Sequence, residues 1–353
     1  MGESGTANGG RRGGRGLLAA LALLLLGSVL VAVAAGAVRI SPATIVRLFA
    51  WKLGLAGPPE GVSDTTAVIL FQFRLPRVVL AGIVGAALAV SGAVFQALFR
   101  NPMADPAIIG VSSGAALGAI AVLLTGTAGA LGGLAVSGAA FVGALLTAFL
   151  VYRLARIGPT VHVTTLLLAG IAVAAVISAC MTLVMSFSSQ SVQSIYFWLL
   201  GGLGQRGWRA ISIAAPLVAA GVIAAALSSG HLNLSLLGEE RAGQLGLDVE
   251  RFKRVMLVVG SLLAAAAVSV SGLIGFVGLM TPHILRLVVG PDHRILLPSV
   301  VLGGASFMIL ADLVSRVVVS PEEIPVGAVT ALLGGPFFLW LLRREQRGAS
   351  AHA

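Results

Sequence analysis

Charge is what this sequence has least of. Of its 353 residues only 10% are Asp, Glu, Lys or Arg, and 58% are apolar; an average soluble chain is about 25% charged. A water-exposed surface cannot be built from that stock, which excludes an ordinary soluble domain. Cysteine is nearly absent. The single Cys180 lies in an apolar run, so there is no disulfide framework and no thiolate metal site, and it is expected as a small core residue. The net charge of +10 is carried almost wholly by arginine, yet no five basic residues are contiguous. Nucleic acid is therefore excluded as a partner, and the charge reads as membrane topology. The chain also lacks a G-x-x-x-x-G-K-[ST] loop, so it cannot hydrolyse nucleotide by that route. Its five histidines are scattered, with no pair at i, i+4 and no adjacent carboxylate cluster, and no catalytic constellation emerges.

What is present is a succession of charge-free runs, at 17–38, 78–99, 106–152, 157–205, 210–238 and 255–285, each long enough for the roughly 20 residues that a transmembrane helix needs. Breaks at charges and Gly/Pro turns divide the chain into ten expected spans: 17–38, 76–99, 107–125, 130–152, 161–187, 209–228, 255–273, 280–290, 298–315 and 325–342. The two helices within 106–152 are expected to turn at Thr125–Gly133. The first apolar run exceeds a signal-peptide core, so residues 1–16 are expected as a flexible cytoplasmic tail, 17–344 as one transmembrane domain and 345–353 as a second tail. Tyr196, Trp198 and Trp208, in a less regular stretch, look like an interfacial aromatic belt. Ten spans put both termini on one side. With the termini inside, 15 of the 23 basic residues are cytoplasmic and 8 are outside, as the positive-inside rule requires.

Comparison of 78–110 with 258–290 shows nine identities in 33 positions, among them Ser91-Gly92 with Ser271-Gly272 and Gly110 with Gly290. The two copies begin with spans two and seven and so run in opposite directions, the pattern of an inverted repeat with its pathway near the repeat interface. Gly272, Gly275, Gly278 and Pro282 are expected to break the second copy, where non-helical backbone must be buried or line a cavity. Gly110, Gly114 and Gly118, with Gly129 and Gly133, offer close helix packing.

The outer charges go against the topology bias. Arg74 and Arg77 flank Pro76 at the mouth of span two, and Arg316 lies four residues after Asp312, a spacing that lets the two pair along a helix. Headgroup contact and docking of an acidic partner through bidentate arginines are both open readings; Asp312 could alternatively serve as a proton carrier. Inside, the polar interruption 229–254 is punctuated by Leu236, Leu237, Ala242 and Leu245 and reads as one short amphipathic helix, or two broken by Gly, available to another protein.

Arg74-Leu75-Pro76-Arg77, Ser91 to Gln96, Asn101-Pro102-Met103-Ala104-Asp105-Pro106, Gly110 to Gly114, Gly238 to Gly246, Gly275 to Leu279 with Pro282-His283, Asp292-His293-Arg294, and Ile324 to Gly327 through Gly334 to Phe338 together resemble the FecCD-type permease subunit of iron-siderophore, haem and cobalamin ABC importers. The likeness covers about 74–344. It implies an all-α, polytopic, ten-helix permease in a bacterial inner membrane, with a second permease copy or homologue, two ATP-binding subunits inside, a substrate-binding protein outside and no cofactor. Arg74, Arg77 and Arg316 look like the family's outer arginines, which face glutamates of the binding protein. Gly238, Glu239, Ala242, Leu245 and Gly246 fall in what resembles its coupling helices. Asn101, Met103, Val163 and Thr164 align with its cytoplasmic gate, where Met103 and Val163 replace Leu and Thr. Alternating access driven by ATP on the partner chains is the implied mechanism, and a ferric siderophore the leading substrate, with haem or cobalamin as alternatives. An ion-coupled secondary transporter and a membrane-embedded enzyme are the rival readings.

Overall fold

Two helices from the halves of the internal repeat form the centre of the chain. In the computed structural model, which describes residues 6–36, 38–125, 133–158, 160–187, 192–204 and 206–350, the first helix α1 (Thr6–Ala34) is followed by α2 (Pro42–Lys52) and α3 (Asp64–Val68). A π-helical turn (Ile69–Arg74) leads without interruption into α4 (Leu75–Leu98). Then come a 3₁₀ turn (Pro106–Ile109), α5 (Val111–Leu124), α6 (Gly133–Ala155), a two-stranded hairpin (β1 Arg156–Ile157, β2 Thr160–Val161), α7 (Val163–Ser186) and α8 (Val192–Leu199). The second half holds α9 (Gly207–Leu227), α10 (Ser229–Ser235), α11 (Glu239–Gln244), α12 (Val249–Ser271), α13 (Val277–Val289), α14 (His293–Val317) and α15 (Val326–Ser350).

Among the described residues eight helices are long and apolar enough to cross a membrane, and α5 and α13 are shorter apolar ones. These ten correspond one to one with the ten expected spans. The ends differ where capping decides. The second span begins at Asp64 rather than 76 because Ser63 caps α3, its Oγ accepting from the Thr66 N–H at 3.4 Å, and the π turn carries the helix through to Pro76. The Leu75 N–H bonds the Leu70 carbonyl, and Pro76 costs little so near the start of the α-helical ladder. The seventh span starts six residues early, at Val249, because Asp248 caps it through the Arg251 N–H at 3.0 Å. Helix α1 extends back to Thr6 and α15 on to Ser350, so polar flanks continue the helices into stretches expected as tails. The expected turn between α5 and α6, with Gly129, lies outside the described residues.

The apolar window of α4 is 83% buried and that of α12 78%, against 11% for α7; the repeat helices are the core and α7 lies at the rim. Helices α4 and α12 are antiparallel. Leu98 at the end of α4 shares a small cavity with Phe252 near the start of α12, whereas Ser91, earlier in α4, donates to the Gly260 carbonyl further along α12 at 2.7 Å. Glycine permits the closest approaches. A Cβ on Gly92 would overlap the Gly278 carbonyl, and one on Gly118 the Ala139 carbonyl, so α4 meets α13 and α5 meets α6 with backbones nearly touching.

The expected break in the second repeat is narrower than four residues of Gly and Pro suggested. Gly272, at φ 70°, closes α12, and Phe276, at φ 67°, opens α13. Gly278 and Pro282 instead lie inside α13. Proline at 282 has no N–H for the Gly278 carbonyl four residues back; Gln96 of α4 supplies a donor instead, its Nε2 at 3.3 Å from that oxygen and 3.1 Å from the Leu279 oxygen. Two further expectations are corrected. Trp198 is buried against the Gly272 break and does not belong to an interfacial belt, although Tyr196 and Trp208 are exposed. Cys180 is exposed, because α7 packs on few neighbours within this chain.

Candidate functional site: two buried ion clusters and a broken helix

The outer cluster, so named for the face on which the sequence expects it, is assembled from α1, the turn leading into α4, α4 itself and α14. The last turn of any helix leaves carbonyls without intrahelical donors, and α1 ends inside the protein. Arg74 donates from Nη1 to the Val33 and Ala34 carbonyls at 2.9 and 3.3 Å, and from Nη2 to Val38 at 2.6 Å. Arg316 donates to Ala32 and Ala35 at 3.2 and 3.3 Å. Two cations thus cap the negative end of the α1 dipole. Both are buried, each 7% exposed. The expected Asp312–Arg316 pair forms, Nε to Oδ2 at 3.0 Å, and Arg77 takes the other oxygen at 2.9 Å. Asp312 is therefore a tie between α4 and α14, both oxygens occupied, with no geometry for a proton carrier. Arg77 also bonds Glu323 at 2.9 Å. It is the least buried of the three arginines, its side chain 15% exposed, and it lines a cavity of about 870 Å³.

That cavity is lined by the irregular chain between α8 and α9, which packs on the Gly272 break. Gly201, Gly202, Leu203 and Gly204, the start of α15 at Pro325 and Val326, and Arg206 line it. The Gly202 N–H bonds the Ser271 carbonyl at 2.7 Å, and a Cβ on Gly201 or Gly327 would overlap neighbouring carbonyls. Irregular chain here satisfies its polar groups in protein and faces a cavity, the only setting in which a membrane tolerates it. Desolvation lowers the pKa of Arg206 from its ordinary value.

On the opposite side the polar segment does fold as two short helices, α10 and α11, broken at Gly238 with φ 101° and closed at Gly246 with φ 87°. Ala242 is buried, while Leu236, Leu237 and Leu245 are exposed. Glu239 pairs with the buried Lys253 at 2.7 Å, and Lys253 with Glu250 at 3.0 Å. Neither Lys253 nor Glu250 was singled out from the sequence; their i, i+3 spacing was the available signal. Nearby, Asn233 of α10 bonds Asp292 at 2.6 Å and the His293 N–H at 2.8 Å. The Arg294 N–H, ahead of the Asn233 side chain, holds the Asp292 carboxyl below its ordinary pKa.

The expected gate residues lie at this end as well. Asn101 is exposed, its Oδ1 accepting from the Met103 N–H at 2.9 Å; Met103 is half-buried. Asp105 caps the following 3₁₀ turn through the Ala107 N–H at 2.8 Å, and burial raises its pKa above the usual carboxylate value. Val163 is half-buried and Thr164 exposed in the first turn of α7. Helix α7 rests on the turn after the first pair, Gly170 packing on the Ile108 carbonyl.

A ten-helix membrane body with irregular chain lining a cavity on one side and short helices exposing leucines on the other defines a transport permease. The chain belongs to the FecCD transport family, whose profile matches residues 23–344, and is an ABC importer permease. It is 48% identical over 300 residues to the cobalamin import system permease BtuC of Halobacterium salinarum, covering 84% of this chain and 80% of that one. It is 43% identical over 290 residues to the hemin transport permease HmuU of Yersinia pestis, covering 81% and 86%. Among solved structures, an inward-facing metal-chelate type ABC transporter superposes with a TM-score of 0.81 at 31% identity, over 94% of this chain and 99% of that one. Permeases of this family are transport components, not enzymes, and the family implies ATPase and binding-protein partners; the nucleotide motif missing here belongs to another chain.

Proposed function

We propose that this chain imports a large metal chelate, a corrinoid in first place, by alternating access in a cell membrane, with both termini cytoplasmic. Similarity to a permease named for cobalamin carries the substrate reading. Haem is the second reading, on the similarity to a hemin permease. The ferric siderophore expected from the sequence is the third arm of the test.

The route follows from the site. An acidic binding protein docks at the outer arginine cluster, Arg77 making the contact and Arg74 and Arg316 holding α1 beneath it. Its charge suits the cluster, since three arginines face two carboxylates, Asp312 and Glu323, leaving one net positive charge. Ligand enters the cavity beside Arg77 and Gly201 to Gly204. The thinly covered α7 leaves an apolar face for a second permease copy, with the pathway between the two. Inside, Gly238, Glu239, Ala242, Leu245 and Gly246 dock an ATPase subunit, the exposed leucines filling its cleft, while Asn101, Met103, Val163 and Thr164 close the pathway. The deciding experiment measures uptake in vesicles holding the permease, its ATPase and its binding protein, with cobalamin, haemin and ferric siderophores in turn. ATP-dependent uptake of cobalamin is expected; uptake of a ferric siderophore alone would overturn the substrate assignment.

A further inference from the structure

Lys253 is 7% exposed, and its ammonium has three hydrogens and three acceptors. Its Nζ lies 2.7 Å from Glu239 Oε2 on α11, 3.0 Å from Glu250 Oε1 on its own helix and 3.4 Å from the Val161 carbonyl on β2. Glu250 closes the ring with its other oxygen, which accepts the Val161 N–H at 3.2 Å. Both backbone groups of Val161 are thus held by one Lys–Glu pair, and the same lysine holds α11. Val161 pairs across the hairpin with Arg156, and two residues later Val163 opens α7. Glu239 on α11 and Val161 on the hairpin before α7 are far apart in sequence, and both bond Lys253.

The other arm of the gate is reached from the same short helix. Gly238, which precedes α11, sits so close to Arg100 that a Cβ would lie 3.3 Å from its Nη1. Arg100, at φ 48°, directly precedes Asn101. The space among Leu98, Arg100, Glu239, Ala242 and Lys253 is about 20 Å³, too tight for α11 to shift without moving its neighbours.

We propose that Lys253 is a positioning residue that transmits displacement of α11 to the start of α7: when a bound ATPase moves Glu239, the lysine carries Val161, and with it Val163 and Thr164, in the same step. The proposal rests on the reading of α11 as the ATPase-coupling element. Glu239 is 49% exposed, so it is the member of the cluster that a partner on α11 can reach, while Lys253 and Val161 stay inside. A lysine suits the task, being a compact charge with rotatable donors that can hold three acceptors as they move together.

The test uses the reconstituted complex of permease, ATPase and binding protein in a Cys180→Ser background, since Cys180 is exposed, with spin labels at Gln244→Cys, exposed on α11, and at His162→Cys, exposed just before α7. In the otherwise unsubstituted background both labels are expected to respond to nucleotide. In Lys253→Met the Gln244 label still responds and the His162 label does not, and the ratio of ATP hydrolysed to ligand imported rises about tenfold, the scale of a site-to-site coupling; Lys253→Arg restores most of it. Should Lys253→Met fail to fold, Glu239→Leu removes the acceptor at the α11 end of the link and is expected to silence the His162 label likewise, with the Gln244 label still responding. A His162 label that responds normally in Lys253→Met or Glu239→Leu overturns the proposal. A Gln244 label unresponsive in the unsubstituted complex overturns the coupling reading on which the proposal rests.

Discussion

At each end of the membrane body a cation sits between two carboxylates: Arg77 between Asp312 and Glu323 at the end proposed to face outward, Lys253 between Glu239 and Glu250 at the other. The surroundings make them opposites. The outer cluster is cross-braced, because Arg316 shares Asp312 and, with Arg74, is nailed to the backbone of α1. Among the described residues the inner cluster has no second cation: three segments meet at one ammonium, with Glu250 alone adding a bond to the Val161 N–H. Counting the paired groups, the outer set carries three positive and two negative charges, the inner set one positive and two negative. On the proposed reading the same chemical motif is a positive platform on one face and a link between short segments on the other.

The comparison breaks first at Asp312. Removing it as Asp312→Ala leaves Arg77 and Arg316 buried without their shared carboxylate, a change worth about 3–5 kcal/mol; thermal unfolding in detergent should fall sharply, and an unchanged transition would mean the platform is not held by this tie. Arg77→Gln comes next. It should weaken binding-protein affinity by about 2 kcal/mol, roughly thirty-fold, measured on immobilised permease, whereas Arg74→Gln should lower thermal stability with little change in affinity. If the two variants traded these effects, the division of labour would be reversed. On the inner face, Gly238→Ala places a side chain at φ 101° beside Arg100, at a cost of about 1 kcal/mol. Uptake per ATP should fall several-fold while binding-protein affinity stays put. Smallest is Gly138→Ala on α6, where a Cβ meets nothing within 4 Å; stability should change by less than about 0.5 kcal/mol, setting the baseline for the others.

The ten membrane helices were legible because lipid demands uninterrupted apolar runs, and the antiparallel repeat because its copies still share Ser-Gly and Gly positions. Gly110 and Gly290, matched in the repeat, have φ 80° and 81°. Helix α2 falls between the expected spans, and its start is signalled by Ser41 before Pro42, the Ser41 Oγ accepting the Thr44 N–H at 3.1 Å. Charges were legible as positions but not as partners. Asp312 and Arg316, four apart, could be paired from spacing alone; Arg77 with Asp312 joins residues 235 apart. The capping of α1 by Arg74 and Arg316 had no signature at all, since the acceptors are backbone carbonyls that any residue provides. For the same reason Val161 gave no hint of its place in the Lys253 cluster. Burial separates Arg74 and Arg316 from the less buried Arg77, a distinction that sequence does not carry and on which the proposed division of docking roles rests.

The central claim is that this chain moves its ligand only as part of an ATP-driven assembly. Vesicles containing the permease alone, the permease with its ATPase, and both with the binding protein should be compared for cobalamin uptake with and without ATP and with the proton gradient collapsed. The account predicts uptake only in the complete set with ATP, indifferent to the gradient. Uptake by the permease alone that disappears with the gradient would contradict it.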